Sequence, residues 1–327
     1  MSHFALHHGR LTTTLSLLAV LVAGAAAAMA AGAPATGAAG EQTLPPPAPK
    51  GEIRGAAPAV DWVGNSTASQ AQARIAADPA DPVGYLELAG ASWRAGDFAG
   101  SARALEQGRR QARPSALLLV ALGSSYIALN RLADAEEATQ AALTLEPEVA
   151  GAQLQLGRIY GLIGWPESAV ECYEKAVSVS PQDVEAKSAL VLGLVAAGRA
   201  ESAEKQCREF LRGDDTAQLW VALGETLEAQ EVLRDAFNAY GRALVLDASH
   251  AGAHARRGRL FCRFGQFDAA ATECRAALAI DPDNALAHAY LGIAYSYQGQ
   301  TEAAREHALR AQQAGMRMDS VWDRLNQ

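Results

Sequence analysis

The sequence predicts an all-α protein, an α-solenoid superhelix of about seven helix-turn-helix repeats with a capping helix at each end. Three observations carry that prediction. A residue at one fixed register recurs at Ala89, Gly123, Gly157, Val191, Gly224, Gly258 and Gly292, with steps of 34, 34, 34, 33, 34 and 34. A glycine or asparagine falls near the middle of most units and a proline closes several, the punctuation of two helices joined by a left-handed turn. Half of the 327 residues are apolar but only 6% are aromatic, so alanine and leucine make up the core, which suits closely packed helices.

Taken in order, residues 1–30 read as a secretory signal peptide. Arg10 and three histidines, with no acid, precede the apolar run Leu11 to Met29, and Ala28-Met29-Ala30 matches a small-x-small cleavage site. The same run, residues 11–29, has the length of an uncleaved membrane anchor, although Thr12, Thr13, Thr14 and its alanine-rich second half weaken its hydrophobicity. Both readings imply export, to the periplasm or cell envelope of a bacterium. The scarcity of lysine, present only at Lys50, Lys175, Lys187 and Lys205, agrees with a GC-rich bacterial source. Residues 31–65 form an Ala/Pro/Gly-rich linker, with Pro45, Pro46, Pro47 and Pro49 unable to continue a helix. Within it, Asp61-Trp62-Val63 is either a short docking motif or a segment packed on the adjacent domain edge. Asn65-Ser66-Thr67 matches an N-glycosylation acceptor, which matters only in a eukaryotic secretory pathway.

Residues 66–81 form the N-terminal capping helix, with Thr67 to Ala77 closed by Asp78-Pro79. The seven repeats occupy 82–318, in units beginning at 82, 116, 150, 184, 217, 251 and 285. Their turns fall at Gly96, Asn130, Gly164, Gly198, Gly265 and Gly299, with Glu231 in the fifth unit. Ala135, Ala169, Ala203, Ala236, Ala270 and Ala304 recur on the second helices, where small residues let paired backbones approach; Tyr126, Tyr160, Phe261 and Tyr295 fill the space left between pairs. Pro147, Pro181 and Pro282 stop the second helices. The single 33-residue step, around Arg212 to Asp215, is expected to shorten an inter-repeat turn and leave the helices intact. Residues 319–327, with Trp322 and Leu325 in register, form the C-terminal capping helix.

In the unit 150–183, Leu156, Gly157, Tyr160, Gly164, Ala169, Tyr173, Ala176 and Pro181 stand at the spacing of the tetratricopeptide pattern. From about Thr67 to Gln327 the chain resembles the tetratricopeptide-repeat family. The resemblance implies a non-enzymatic scaffold or adaptor that binds a protein or peptide segment in a concave groove lined by the first helices. Carried onto this sequence, the groove positions are Leu86 and Trp93 in the first unit, Leu117, Val120 and Ile127 in the second, and Leu154, Arg158 and Leu162 in the third. Leu192 and Val195 follow in the fourth, Glu225 and Glu228 in the fifth, Arg256, Arg259 and Arg263 in the sixth, and Tyr290, Ile293 and Tyr297 in the seventh. Such a groove suits an amphipathic helix or an extended apolar segment, with an acidic and a basic patch fixing its direction. Several of these side chains have a second reading, as packing between neighbouring first helices. The lysine and asparagine arrangement of family members that clamp chaperone C-termini is absent, so that client class is not implied.

Arg256, Arg259 and Arg263 share one helical face, which either grips a carboxylate or phosphate or pairs with Glu225 and Glu228 of the preceding unit. The first option makes a small-anion-binding sensor or enzyme accessory subunit the alternative function. Arg257 stands where the pattern expects a buried leucine, so this unit is expected to be looser or polar there. No metal site is expected, since His250 and His254 have no evident third ligand. Cys172, Cys207, Cys262 and Cys274 read as small packing residues. Of the pairs, Cys172 and Cys207 on neighbouring second helices are better placed for a disulfide than Cys262 and Cys274, whose axial offset of roughly 7 Å strains the bond. A net charge of -8 and a pI near 5.4 provide no field for nucleic acid. No phosphate loop, zinc pattern or nucleophile turn is present, so neither catalysis nor a cofactor is expected.

Overall fold

The computed structural model of the chain describes residues 66–149 and 151–325. The signal or anchor segment, the linker, Asp61-Trp62-Val63 and Asn65 lie outside the described residues. Sixteen α-helices and no strands are present among the described residues. A first helix α1 (Ala68–Ala77) precedes seven pairs: α2 (Pro82–Arg94) with α3 (Phe98–Gln111), α4 (Ala116–Ala128) with α5 (Leu132–Leu145), α6 (Ala152–Ile163) with α7 (Pro166–Val179), and α8 (Val184–Ala196) with α9 (Ala200–Leu211). Then come α10 (Ala217–Ala229) with α11 (Leu233–Leu246), α12 (Ala251–Arg263) with α13 (Phe267–Ile280), and α14 (Ala285–Tyr297) with α15 (Thr301–Gln313). The last helix, α16 (Asp319–Leu325), packs on α14 and α15.

Local chemistry sets the ends of these helices. Several first helices start on a side-chain cap: Asp81 Oδ1 accepts from the Val83 amide at 3.0 Å, Ser115 Oγ from Leu118 at 3.2 Å, and Asn284 Oδ1 from Ala287 at 3.0 Å. Thr67 and Gln70 form a reciprocal capping box at the start of α1. The residues that end the first helices, Gly96, Asn130, Gly164, Gly198, Glu231, Gly265 and Gly299, all have positive φ. Beyond each, one amide bonds back five residues, as from Trp165 to Tyr160 O and from Val232 to Leu227 O, both at 2.8 Å. That closure reverses the chain, which is why second helices such as α5, α7 and α11 need no side-chain cap.

Each first helix packs on its own second helix and each second helix on the next first helix; most successive first helices also touch, whereas α10 and α12 are joined through side-chain ion pairs. The closest approaches occur at small residues. A Cβ at Gly157 would lie 2.5 Å from the Tyr173 ring, and one at Gly224 would lie 2.4 Å from the Tyr240 ring. The recurrent second-helix alanines are buried in all six units. Cys207 and Cys274 occupy the register of Tyr173 and Tyr240 one unit further on, and all four cysteines are free and buried.

One expectation is corrected and another resolved. The 33-residue step does not shorten the turn: α9 has 12 residues against 14 in α7 and α11. The chain leaves α9 early because the amides of Gly213 and Asp214 both bond to Phe210 O, which frees Asp214 to pair with Lys187 and Asp215 to accept from Trp220 Nε1 at 2.6 Å. At Arg257 the unit takes the polar of the two forms expected there. The guanidinium carbon lies 4.8 Å from the centroid of the Phe237 ring and its Nη1 lies 3.3 Å from Glu273 Oε1, so the side chain packs flat where a leucine was expected.

Two glycines separate packing from propensity. Gly224→Ala is expected to lower stability by about 1–3 kcal/mol, since the Tyr240 ring is wholly buried and cannot yield. Gly241→Ala, where a Cβ meets nothing within 4 Å, is expected to raise it by about 1 kcal/mol through helix propensity alone. Urea unfolding of the two variants, followed by far-ultraviolet circular dichroism, checks both signs.

Candidate functional site

The first helices are central to any binding surface of the stack, because one side of each is left uncovered by the second helices. The predicted groove positions divide into three groups there. Val120, wholly inaccessible, and Leu86, 2% exposed, are core residues, as are Leu154, Ile127, Tyr290 and Ile293. These six are corrected from groove lining to core. Successive first helices cover them, so their side chains fill the seams of the stack. Trp93, Leu117, Leu162, Leu192, Val195 and Tyr297 are half-buried and present part of their surface. Trp93 packs edge-on against Phe98 with centroids 4.8 Å apart, while the Tyr297 ring is stacked on Phe267 at 4.0 Å with the Arg324 guanidinium 3.8 Å from its centroid. The C-terminal helix therefore covers the last groove position.

The charged positions form the third group, and they are tied to one another. Arg158 pairs with Glu185 between α6 and α8. Between α10 and α12, Arg256 Nη2 lies 2.7 Å from Glu225 Oε1, Arg259 pairs with Glu228, and Arg263 Nη2 lies 2.6 Å from Glu231 Oε2. Of the two readings of the arginine face, the structure shows pairing with the preceding unit. Glu231 is a residue that sequence reasoning used only as a turn marker; its place 32 residues before Arg263, beside pairs spaced 31 apart, was the available signal.

Glu228 is the centre of the most buried of these contacts. Its side chain is 8% exposed, it accepts a 2.6 Å hydrogen bond from the Tyr240 hydroxyl, and Arg259 meets the same oxygen. Burial by itself would lower the Arg259 guanidinium, but Glu228 and the hydroxyls of Tyr290 and Tyr240 hold it above its ordinary value. Burial pushes the Tyr240 phenol well above 10 and that of Tyr290 up to about 12. Each acid of the network faces a base or a donor, while the Nε atoms of Arg256 and Arg259 are buried without a hydrogen-bond partner.

Beside it, the centre of the groove is open. A hollow of about 360 Å³ is lined by Arg158, Tyr173, Glu185, Ser188, Ala189, Leu192, Gly193 and Gln218. A Cβ at Gly193 would lie 2.8 Å from the Tyr173 ring, so this glycine lets α8 pack closely on a ring that is itself 8% exposed. No group of three or more His, Cys, Asp or Glu suited to a metal occurs among the described residues. None of the described helices is long and apolar enough to cross a membrane. His254 is held by Glu273 at 2.7 Å and by Ala248 O at 3.2 Å, so the ring is anchored within the protein.

Stacked antiparallel helix pairs, closed by an extra helix at each end and open along the first helices, define a helical-repeat scaffold. Family models described as tetratricopeptide repeat match residues 150–183 and, in two overlapping segments, 86–150 and 120–160; one described as TPR repeat matches 258–299. Human tetratricopeptide repeat protein 7B is 35% identical over 125 residues, and the mouse protein of that name is equally similar. Each match covers 38% of this chain and 15% of the relative, so the chain spans a small part of the relatives' length. A tetratricopeptide repeat protein from Parabacteroides merdae superposes with a TM-score of 0.58 at 15% identity, over 74% of this chain and 96% of that one. The Cut9–Hcn1 hetero-tetramer of the APC/C superposes with a TM-score of 0.56 at 16% identity, over 79% and 51%. The chain carries tetratricopeptide repeats over residues 86–183 and 258–299, and that fold generally serves as a protein–protein interaction scaffold.

Two measurements test the site's energetics. Arg259→Ala is expected to cost about 3–5 kcal/mol because it leaves Glu228 buried without its cation, while Arg259→Met with Glu228→Leu is expected to cost much less; a double-mutant cycle in urea reads the difference. All four thiols are raised by burial, those of Cys207 and Cys262 up to about 12. Ellman's reagent at pH 8 is therefore expected to find none of them in the folded chain and all four after unfolding.

Proposed function

We propose that this chain is a non-enzymatic scaffold or adaptor of the bacterial cell envelope that binds a partner protein segment in the groove lined by its first helices. The observation that carries the proposal is the hollow at α8, where Ala189, Leu192 and the Tyr173 edge form an apolar surface between the Arg158–Glu185 pair and Gln218. An apolar side chain from an amphipathic helix or an extended segment fits this site, with the neighbouring polar atoms orienting its backbone. The flanking charges are already paired across helices, so they favour a partner of low net charge rather than setting its direction. The guanidinium groups that a small anion would need are committed to Glu225, Glu228 and Glu231, which removes the support for a sensor or accessory subunit. Export rests on the apolar run from Leu11 to Met29 and its small-x-small site.

A peptide display library panned on the full chain tests the groove. Enriched peptides are expected to carry bulky apolar residues and little charge. Leu192→Asp, which sets an unpaired charge against the apolar contact, is expected to weaken them about tenfold or more. Peptides indifferent to both Leu192→Asp and Val195→Asp exclude this groove as the binding surface. Export is checked separately by N-terminal sequencing of the protein from its source cell: a start near Ala31 is expected, and an intact Met1 on membrane-bound chain assigns the anchor instead.

A further inference from the structure

The last two repeats carry a histidine at the same register with different partners. His254 on α12 and His288 on α14 are 34 residues apart, and each faces the second helix of its own unit at positions also 34 apart, Glu273 and His307. His288 Nδ1 lies 2.8 Å from His307 Nδ1, His288 Nε2 lies 3.0 Å from Pro282 O, and the two rings stack with centroids 5.0 Å apart. His288 is 4% exposed, and the Tyr295 ring lies 5.7 Å from that of His307.

These contacts limit how many protons the pair can hold. The Pro282 carbonyl only accepts, so His288 Nε2 carries a hydrogen, and a neutral His288 then presents a bare Nδ1. The contact at 2.8 Å is therefore an N–H···N bond donated by His307 Nδ1. A first added proton goes to His307 Nε2 and leaves that bond in place. A second has to go to His288 Nδ1, where two N–H groups on two cations face each other. The bond is then lost and the rings repel, so the pair cannot be fully protonated while α14 and α15 stay joined there. In the sixth unit both partners of His254, Glu273 and Ala248 O, are acceptors, and a doubly protonated ring satisfies both.

We propose that the His288–His307 pair is an acid-sensitive latch between α14 and α15, whose opening releases the seventh repeat and the α16 helix packed on it while the sixth repeat stays closed. The other charges near the latch do not replace it. Glu306 and Arg310 flank His307 on α15, with opposite effects on it. On α13, Glu273 is held by His254 and Arg257, and Arg275 lies beside Tyr295 and Gln298. Asp281 in the preceding turn accepts from Asn284, with Asp283 beside it, and α16 contributes Asp319, Asp323 and Arg324, the last stacked on Tyr297. Burial, then His288 and Arg310, lower the His307 pKa below its usual value. A group depressed in the folded state contributes stability that is present above its unfolded pKa of about 6.5 and is lost as pH falls through the folded one.

Amide hydrogen exchange on the full chain, expressed as protection factors at pH 7 and pH 5, tests the latch. Protection in α14 and α15 is expected to fall relative to that in α12 and α13 between pH 7 and pH 5. His307→Glu reproduces the sixth-unit pair and is expected to abolish that fall. Equal protection in the two units at both pH values, or a fall that persists in His307→Glu, overturns the proposal. If that variant does not fold, ¹⁵N spectra of the histidine rings in the unaltered chain decide: the pair is expected to hold both added protons only as α14 loses protection. Two fully protonated rings in a still-protected seventh repeat overturn the latch.

Discussion

The close contact between the two helices of each unit is the constraint on which the rest of the structure depends. Where Gly157 meets Tyr173 and Gly224 meets Tyr240, no room remains for a methyl group, so the pair has one depth and one register. Buried alanines such as Ala169, Ala270 and Ala304 lie at the same contact from the second-helix side, the Ala169 carbonyl 3.1 Å from a Cβ at Gly157. Because every unit repeats that geometry, the first helices come to lie beside one another and the groove follows. A core of small residues is sensitive to added volume, since few flexible side chains are available to absorb it. The cysteines at the register of Tyr173 and Tyr240 follow the same logic, as compact groups that fill a tight position.

Charge is used between units rather than on the groove surface. The pairs that link α6 to α8 and α10 to α12 cross from one repeat to the next, where the alanine contacts within a unit do not reach. Partly buried pairs of this kind contribute modest net stability, but they are costly to break singly and so favour one stacking arrangement. Their mutual neutralisation also leaves the half-buried Leu192 as an apolar surface beside paired charges.

Groove positions were legible in the sequence as a helical face, but their depth was not. The register that selects Leu192, the ninth residue of its unit, also selects Ile293, and the repeat pattern does not distinguish them. The difference is set by tertiary packing, which buries Ile293 to 3% exposure and leaves Leu192 half-open. Tyr297 fails in another way: its register is right, but Arg324 from α16 lies on its ring. The arginine face was readable as far as a choice between a ligand and the glutamates of the preceding unit, and the distance between α10 and α12 made that choice.

The sequence by itself determined the architecture: a 34-residue period, turn residues able to take positive φ and small residues at a fixed register specify helix pairs that stack. Those signals are local, acting within a turn or between two adjacent helices, so one chain read in order contains them. Tertiary structure decided what the stack presents, including the short α9, the ring-stacked Arg257, the paired arginines and the facing histidines at positions 288 and 307. Each of these depends on groups brought together from separate helices, where a few ångströms of spacing select between a salt bridge, a packed ring and an open surface.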